Sequence, residues 1–481
     1  MAQNCAGGTL AAYIPDASKP WNSLRVQHVY RRLGFGGNYS EIQAGLLLTP
    51  SQLIDNLIND AKAAPLPTAP SWYNWSDSNY TDFTMESTDQ YIEWYMEWLS
   101  EMLDTGVREK FALFWHNHFV TRYVDYLCPS YLYEYHKLLQ QHAFGNFQTF
   151  TKDMGKNPAM LKFLDSVLNY STFPNENYAR ELLELFTLGV NNNYTQQDIT
   201  EAARALTGYV DVTEDCAPIS FNATHFDSGS KTIFGQTGNY DFDGVHDLIF
   251  QERPTEVSNH ICTKIYTHFV HPLPNQTIID GMASTFVANN FEIEPVLLEL
   301  FKSEHFFEDD AISVQIKSPV EVLISTIKES NYGHDTTVMQ LVGMLTVDQG
   351  QQLFSPTDVS GWAGNRSWIN GTSITKRWKM LDDYVGYVLT SLDKEDMRQL
   401  AIDVSNNSND VAVVAQAITD YFIPKGLEDP AHYSQATIEL KATVPQNYFD
   451  LGLWDLTFQY VPEQVYNLML WIFRRPEFQL S

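Results

Sequence analysis

Cysteine is scarce in this chain of 481 residues: only Cys5, Cys128, Cys216 and Cys262 occur. They are widely spaced and form no C-x-x-C pair, which excludes a zinc ribbon and a disulfide-built scaffold and leaves room for one disulfide. Positive charge is also short, with 30 Lys and Arg against 59 Asp and Glu and a formal charge of −29. A phosphate backbone or an anionic membrane surface is therefore excluded as a natural partner, and no nucleic-acid binding is expected. No window approaches about 18 uninterrupted apolar residues, so no transmembrane segment is expected. The first residues lack a basic stretch followed by an apolar one, so the chain reads as soluble, without an export signal of its own.

Several motifs are missing as well. No His-Glu-x-x-His zinc helix and no Gly-x-Ser-x-Gly nucleophile elbow occurs. Gly229-Ser-Lys-Thr232 lacks the glycine before lysine that a phosphate loop needs, and Gly34-Phe-Gly-Gly37 lacks the strand and third glycine of a dinucleotide fingerprint. What is abundant is core-forming material: 44% hydrophobic residues, of which aromatics make up 14% of the chain, enough for a sizeable globular core.

Apolar residues recur mostly at helical spacing. Helices are predicted over 23–33, 50–63, 89–103, 106–123, 130–144 and 147–157, then over 247–269, 276–289 and 293–302, and finally over 376–392, 394–405, 410–422 and 462–474. Thr195 with Asp198, and Ser318-Pro-Val-Glu321, have the form of capping boxes, the second with proline at the first helical position. A long loop over 64–84 carries Trp72 and Trp75, an irregular segment spans 209–240, and another loop spans 352–370 with Trp362 and Trp368. The expected fold is all-α: a large irregular helical bundle with long aromatic and polar loops and little or no sheet. It reads as one domain over 1–481, with a main core over 23–375 and a C-terminal helical subdomain over 376–481 packed on it.

The stretch from Asn175 to Gly189 reads as one capped helix with a dense polar stripe. At about 100° per residue, Asn177, Arg180, Glu181 and Glu184 share a narrow arc and Leu182, Leu183, Leu185 and Phe186 cover the rest. That stripe is either a solvated face or an inward-facing site. His116 and His118, two apart on a nearly all-apolar helix, cannot bind one ion from one face, and burial requires each to be hydrogen-bonded or metal-bound. A mixed shell of imidazole with Glu181, Glu184 or Asp227 would suit a divalent metal. His225 and Asp227 share the irregular segment with Lys231, and Arg180 and Arg204 are the cations expected near the carboxylates; a purely structural ion-pair network would use the same residues.

The Asn175 to Gly189 stretch, with Trp115-His-Asn-His-Phe119, Tyr194-Thr-Gln-Gln-Asp198, Ala205-Leu-Thr-Gly208, His225-Phe-Asp227, Lys231, Lys317-Ser-Pro-Val-Glu321 and Gly361-Trp362, resembles the bacterial family catalogued as domain of unknown function 1800. The similarity runs in order from about Arg25 to Pro476-Glu-Phe478. His225-Phe-Asp227 carries one residue more between His and Asp than the family's element. The resemblance implies an envelope-associated or exported protein encoded beside a family resembling sulfatases and alkaline phosphatases. It also turns the polar stripe inward and sets the candidates: Glu181, His118 and His225 as catalytic residues; Asn177, Arg180, Arg204, Lys231 and Trp362 as ligand-binding; His116, Glu184 and Asp227 as ligands of one divalent metal. The implied function is a hydrolase-like activity on carbohydrate-rich material; the alternative is a non-catalytic scaffold or export companion of the sulfatase-like partner.

Overall fold

The computed structural model describes residues 5–210 and 216–481. Local chemistry starts most of its helices. Asn22 accepts from the Arg25 N–H and opens Ser23–Leu33; Thr49 and Gln52 form a capping box ahead of Pro50–Ala63. The boxes expected at Thr195 and Ser318 are both present, opening Gln196–Ala205 and Pro319–Ser330. Each such cap satisfies N–H groups that the first turn leaves unpaired and contributes about 1 kcal/mol. The described residues contain 23 α-helices and one two-stranded sheet. Its strands, Lys231–Ile233 and Gln236–Gly238, pair antiparallel through a tight turn at Phe234 and Gly235, both at positive φ. The helical expectation holds. No described helix is long and apolar enough to cross a membrane.

Several boundaries differ from the sequence reading. The helix expected over 106–123 ends at His116, because the Asn117 side chain leaves the helix to bind the Trp362 backbone: its Oδ1 accepts from the Trp362 N–H at 2.7 Å and its Nδ2 donates to the Trp362 carbonyl at 3.2 Å. His118 therefore sits in the turn that follows. The span 247–269 is two helices, Phe242–Glu252 and Pro254–Phe269, since proline cannot donate to a continuing helix. The helix after Asn175 runs as α only over Asn177–Glu181 and widens to a π-helix over Leu182–Thr187. Helices Tyr39–Leu46, Thr336–Asp348 and His432–Lys441 have no counterpart among the predicted spans. Part of the irregular 209–240 segment, 211–215, lies outside the described residues.

An aromatic core fixes these elements. Trp115, Phe119, Phe147 and Phe150 are each no more than 1% exposed and pack ring on ring, with Phe119 and Phe150 centroids 4.8 Å apart. Each such side chain contributes about 2 kcal/mol or more through burial. Cys128, the cap residue of helix Pro129–Gln141, is joined by a disulfide to Cys216. Buried Arg31 binds the last third of the chain to the first, pairing with Glu329 (2.6 Å) and donating to the Phe422 carbonyl, and buried Arg377 ties its helix to the Lys317 carbonyl.

Candidate functional site

The polar stripe lies at the surface. Arg180, 37% exposed, reaches Glu176 at 3.1 Å and Glu184 at 3.3 Å on its own turn and Gln196 across the gap to the next helix. Asn177 donates to Asp165 at 3.4 Å. Glu181 is half-buried beside them, and burial and the neighbouring Glu184 raise its carboxyl. This is a solvent-screened network of i,i+4 pairs, so the inward-facing reading of the stripe gives way to the surface one.

The loop residues form a second cluster. Arg204 grips Asp227 at 2.7 Å and Glu201 at 2.6 Å; the Arg204 bond, with the Gly229 N–H, holds the Asp227 carboxyl below its ordinary range against burial. Lys231 is buried and donates to the Asp227 and Gly229 carbonyls. His225 meets the Tyr170 ring edge-on at 5.0 Å.

Neither cluster reaches His116 or His118. His116 is fully buried, its Nδ1 2.6 Å from the Tyr135 hydroxyl and its Nε2 accepting from the Phe354 N–H. Glu184 and Asp227 are committed to Arg180 and Arg204, so His116, Glu184 and Asp227 do not converge. Among the described residues no group of three or more His, Cys, Asp or Glu side chains is placed to hold a metal.

What the fold does assemble is a cavity of about 500 Å³ between the end of helix Gly106–His116, helix Pro254–Phe269, the start of Pro319–Ser330 and the 360–368 loop. Three segments that carry the family resemblance meet there: Asn117 and His118, Ser318 and Glu321, and Trp362. Its charged lining is Arg32, Lys110, Lys264 and Glu321, three cations to one anion in a chain of net charge −29. Trp362 and Trp368 supply one wall and Asn117, Gln315 and Gln351 supply amides. Gly361 makes this possible: its φ is +82°, and a Cβ there would lie 2.3 Å from Asn117 Oδ1.

The electrostatics are polarised by burial. Glu321 bonds to Lys110 and accepts from the Ser318 N–H at 2.6 Å. Burial alone would push its carboxyl up, but Lys110 and those bonds hold it at about 2. Burial, then the Lys110 charge, brings His268 down to about 4. Arg32 donates to the Val270 and Ala311 carbonyls, and its Nε has no partner among the described residues; burial lowers it to about 9.

The π-helix is the hinge between the stripe segment and the cavity. The helix ends at Thr187, so the Leu185 and Phe186 carbonyls lie in its last turn without an intrahelical partner and accept from side chains. His260 Nε2 lies 3.0 Å from the Leu185 oxygen and His118 Nε2 lies 3.2 Å from the Phe186 oxygen. These contacts leave His118 Nδ1 to accept from Lys264 Nζ at 2.9 Å. Gly189 lets the backbone approach, since a Cβ there would sit 3.0 Å from His260 Nδ1. The segment after Asn175 thus serves the cavity through backbone oxygens, not through its charged face.

Of the candidates named from sequence, His118 and Trp362 line the cavity. Lys264, Lys110 and Arg32 were not named. A local signal for Lys264 did exist: His260, Lys264 and His268 recur every fourth residue on the helix Pro254–Phe269, a polar stripe on one face.

The family described as Protein of unknown function (DUF1800) matches residues 28–480. The chain belongs to this family. No curated protein and no solved structure matches it. In this member of DUF1800, the segments on which the sequence resemblance rests are split between the surface network, the Arg204 loop and the cationic cavity.

Proposed function

We propose that this DUF1800 protein recognises an acidic, sugar-sized ligand in the cationic cavity, in the processing of carbohydrate-rich material at the cell envelope. The carrying observation is the excess of positive charge in that cavity against the negative charge of the chain. The volume suits a small ligand, tryptophan offers a face for a sugar ring, and buried cations bind anions far more strongly than exposed ones. The Cys128–Cys216 disulfide supports an oxidising compartment, as an exported protein would meet. A sulfatase- or phosphatase-like partner fits the same chemistry, because both proteins would handle anionic sugars.

Hydrolysis by a carboxylate pair finds only Glu321 among the lining residues, and Lys110 and Ser318 already engage it. The acid–base couple open to a ligand is Lys264 with His118. Titration of the tryptophan fluorescence with glucuronate, glucose and sodium sulfate tests the proposal. Glucuronate is expected to bind at least tenfold more tightly than glucose, with sulfate competing; equal response to both sugars would overturn it.

A further inference from the structure

We propose that Lys264 is a nucleophilic amine that forms an imine with a ligand carrying both a carbonyl and an acid group. The inference rests on the cavity's preference for acids, which brings such a ligand alongside the amine. Four observations converge on it. Lys264 lines the cavity. Among the described residues it forms no ion pair with a carboxylate; its acceptors are His118 Nδ1 at 2.9 Å and the Leu185 carbonyl at 3.4 Å, both neutral. The tautomer of His118 is set by the Phe186 carbonyl at Nε2, so Nδ1 presents a lone pair to the amine. Arg32, which has no carboxylate partner among the described residues, lies in the same cavity to hold the acid group, with Lys110 beside it paired to Glu321.

Burial lowers the Lys264 ammonium to about 8. At neutral pH about a tenth of it is the free amine, against well under a thousandth for an ordinary lysine. Desolvation of this kind is one of the established routes to a reactive lysine. A purely structural lysine would bond to the carbonyl and imidazole in the same way, so reactivity is the property that separates the two.

The step balances without a redox partner. The free amine attacks the carbonyl carbon and the C–N bond forms. As the carbinolamine collapses, its oxygen departs as water carrying the two protons of the amine, and His118 Nδ1 relays protons between nitrogen and the leaving hydroxyl. The product is an imine between Lys264 and the ligand.

Glyoxylate is the test probe, added to the full chain with cyanoborohydride so that any imine is fixed as a carboxymethyl group and mapped by mass spectrometry. Lys264 is expected to label at least tenfold faster than the exposed Lys379, 72% open to solvent, with a half-maximal rate near pH 8. Glucuronate should protect it, and propanal, which has no acid group, should label it at least tenfold more slowly. In Lys264→Arg the fast label is expected to vanish; should that variant fold poorly, site mapping on the unaltered chain still decides. Lys264 labelling no faster than Lys379 would overturn the proposal. If glucuronate still binds in that case, the cavity reading stands and only the imine falls; if it does not bind, both fall.

Discussion

Replacing Glu321 with glutamine keeps the shape of the side chain and removes the one negative charge of the cavity lining. Lys110, 5% exposed at its side chain, is then left without its counter-charge. Breaking a buried pair from one side costs about 3–5 kcal/mol. An independent route gives a similar figure: a carboxyl held at about 2 instead of its ordinary 4.5 adds about 3 kcal/mol of folding stability at neutral pH. Because Glu321 is 17% exposed and opens on the cavity, the lower end, about 3 kcal/mol, is the expected loss. The sign with pH follows from the lowered value. The carboxylate's contribution is complete above pH 4.5 and disappears as pH falls toward 2, so the gap between parent and Glu321→Gln should narrow over that window. Urea unfolding of both proteins between pH 7 and pH 3 measures it. A gap below about 0.5 kcal/mol at pH 7 would refute the reasoning, as would one that stays constant down to pH 3, since either means that the Lys110 contact is not an effective ion pair.

Three further outcomes are expected. Reducing the Cys128–Cys216 bond, which spans 88 residues of sequence, should cost about 2–4 kcal/mol, read as a lower melting temperature in reductant. Gly361→Ala forces a Cβ into Asn117 at a φ of +82°; it should cost about 1–3 kcal/mol and weaken glucuronate binding as the Trp362 loop is displaced, checked by melting and fluorescence titration. Arg180→Ala removes only half-exposed pairs and should change stability by less than about 1 kcal/mol and glucuronate affinity not at all.

Helix starts were legible because a cap is a local event. Thr195 with Asp198 and Ser318 with Glu321 lie three residues apart, and the side chains that close each box are the ones that the spacing names. The end of helix Gly106–His116 was not legible, since it depends on Asn117 finding the backbone of Trp362, 245 residues away. The stripe of Asn177, Arg180, Glu181 and Glu184 illustrates the same limit at the site. Periodicity states which residues share a face but not what that face meets, and here it meets water and the neighbouring Gln196. The cavity residues come from five distant parts of the chain, so no local period encodes their meeting. The family resemblance points at His118 and Trp362, whereas Lys264 is one of several polar residues on its helix and the spacing of His260, Lys264 and His268 does not say that their face meets a cavity.

The bond from the Leu188 N–H to the Leu183 carbonyl, five residues back, amounts to one extra residue wound into a helix. Delete a single residue over 182–184 and the turn tightens to the ordinary step, rotating all that follows by about 100° relative to what precedes it. The Leu185 and Phe186 oxygens turn with it, so His260 and Lys264 lose the first and His118 loses the second in one step. The alignment of the imidazole and the amine is therefore stored as a count of residues, and a deletion that alters no cavity-lining side chain would still unset the site.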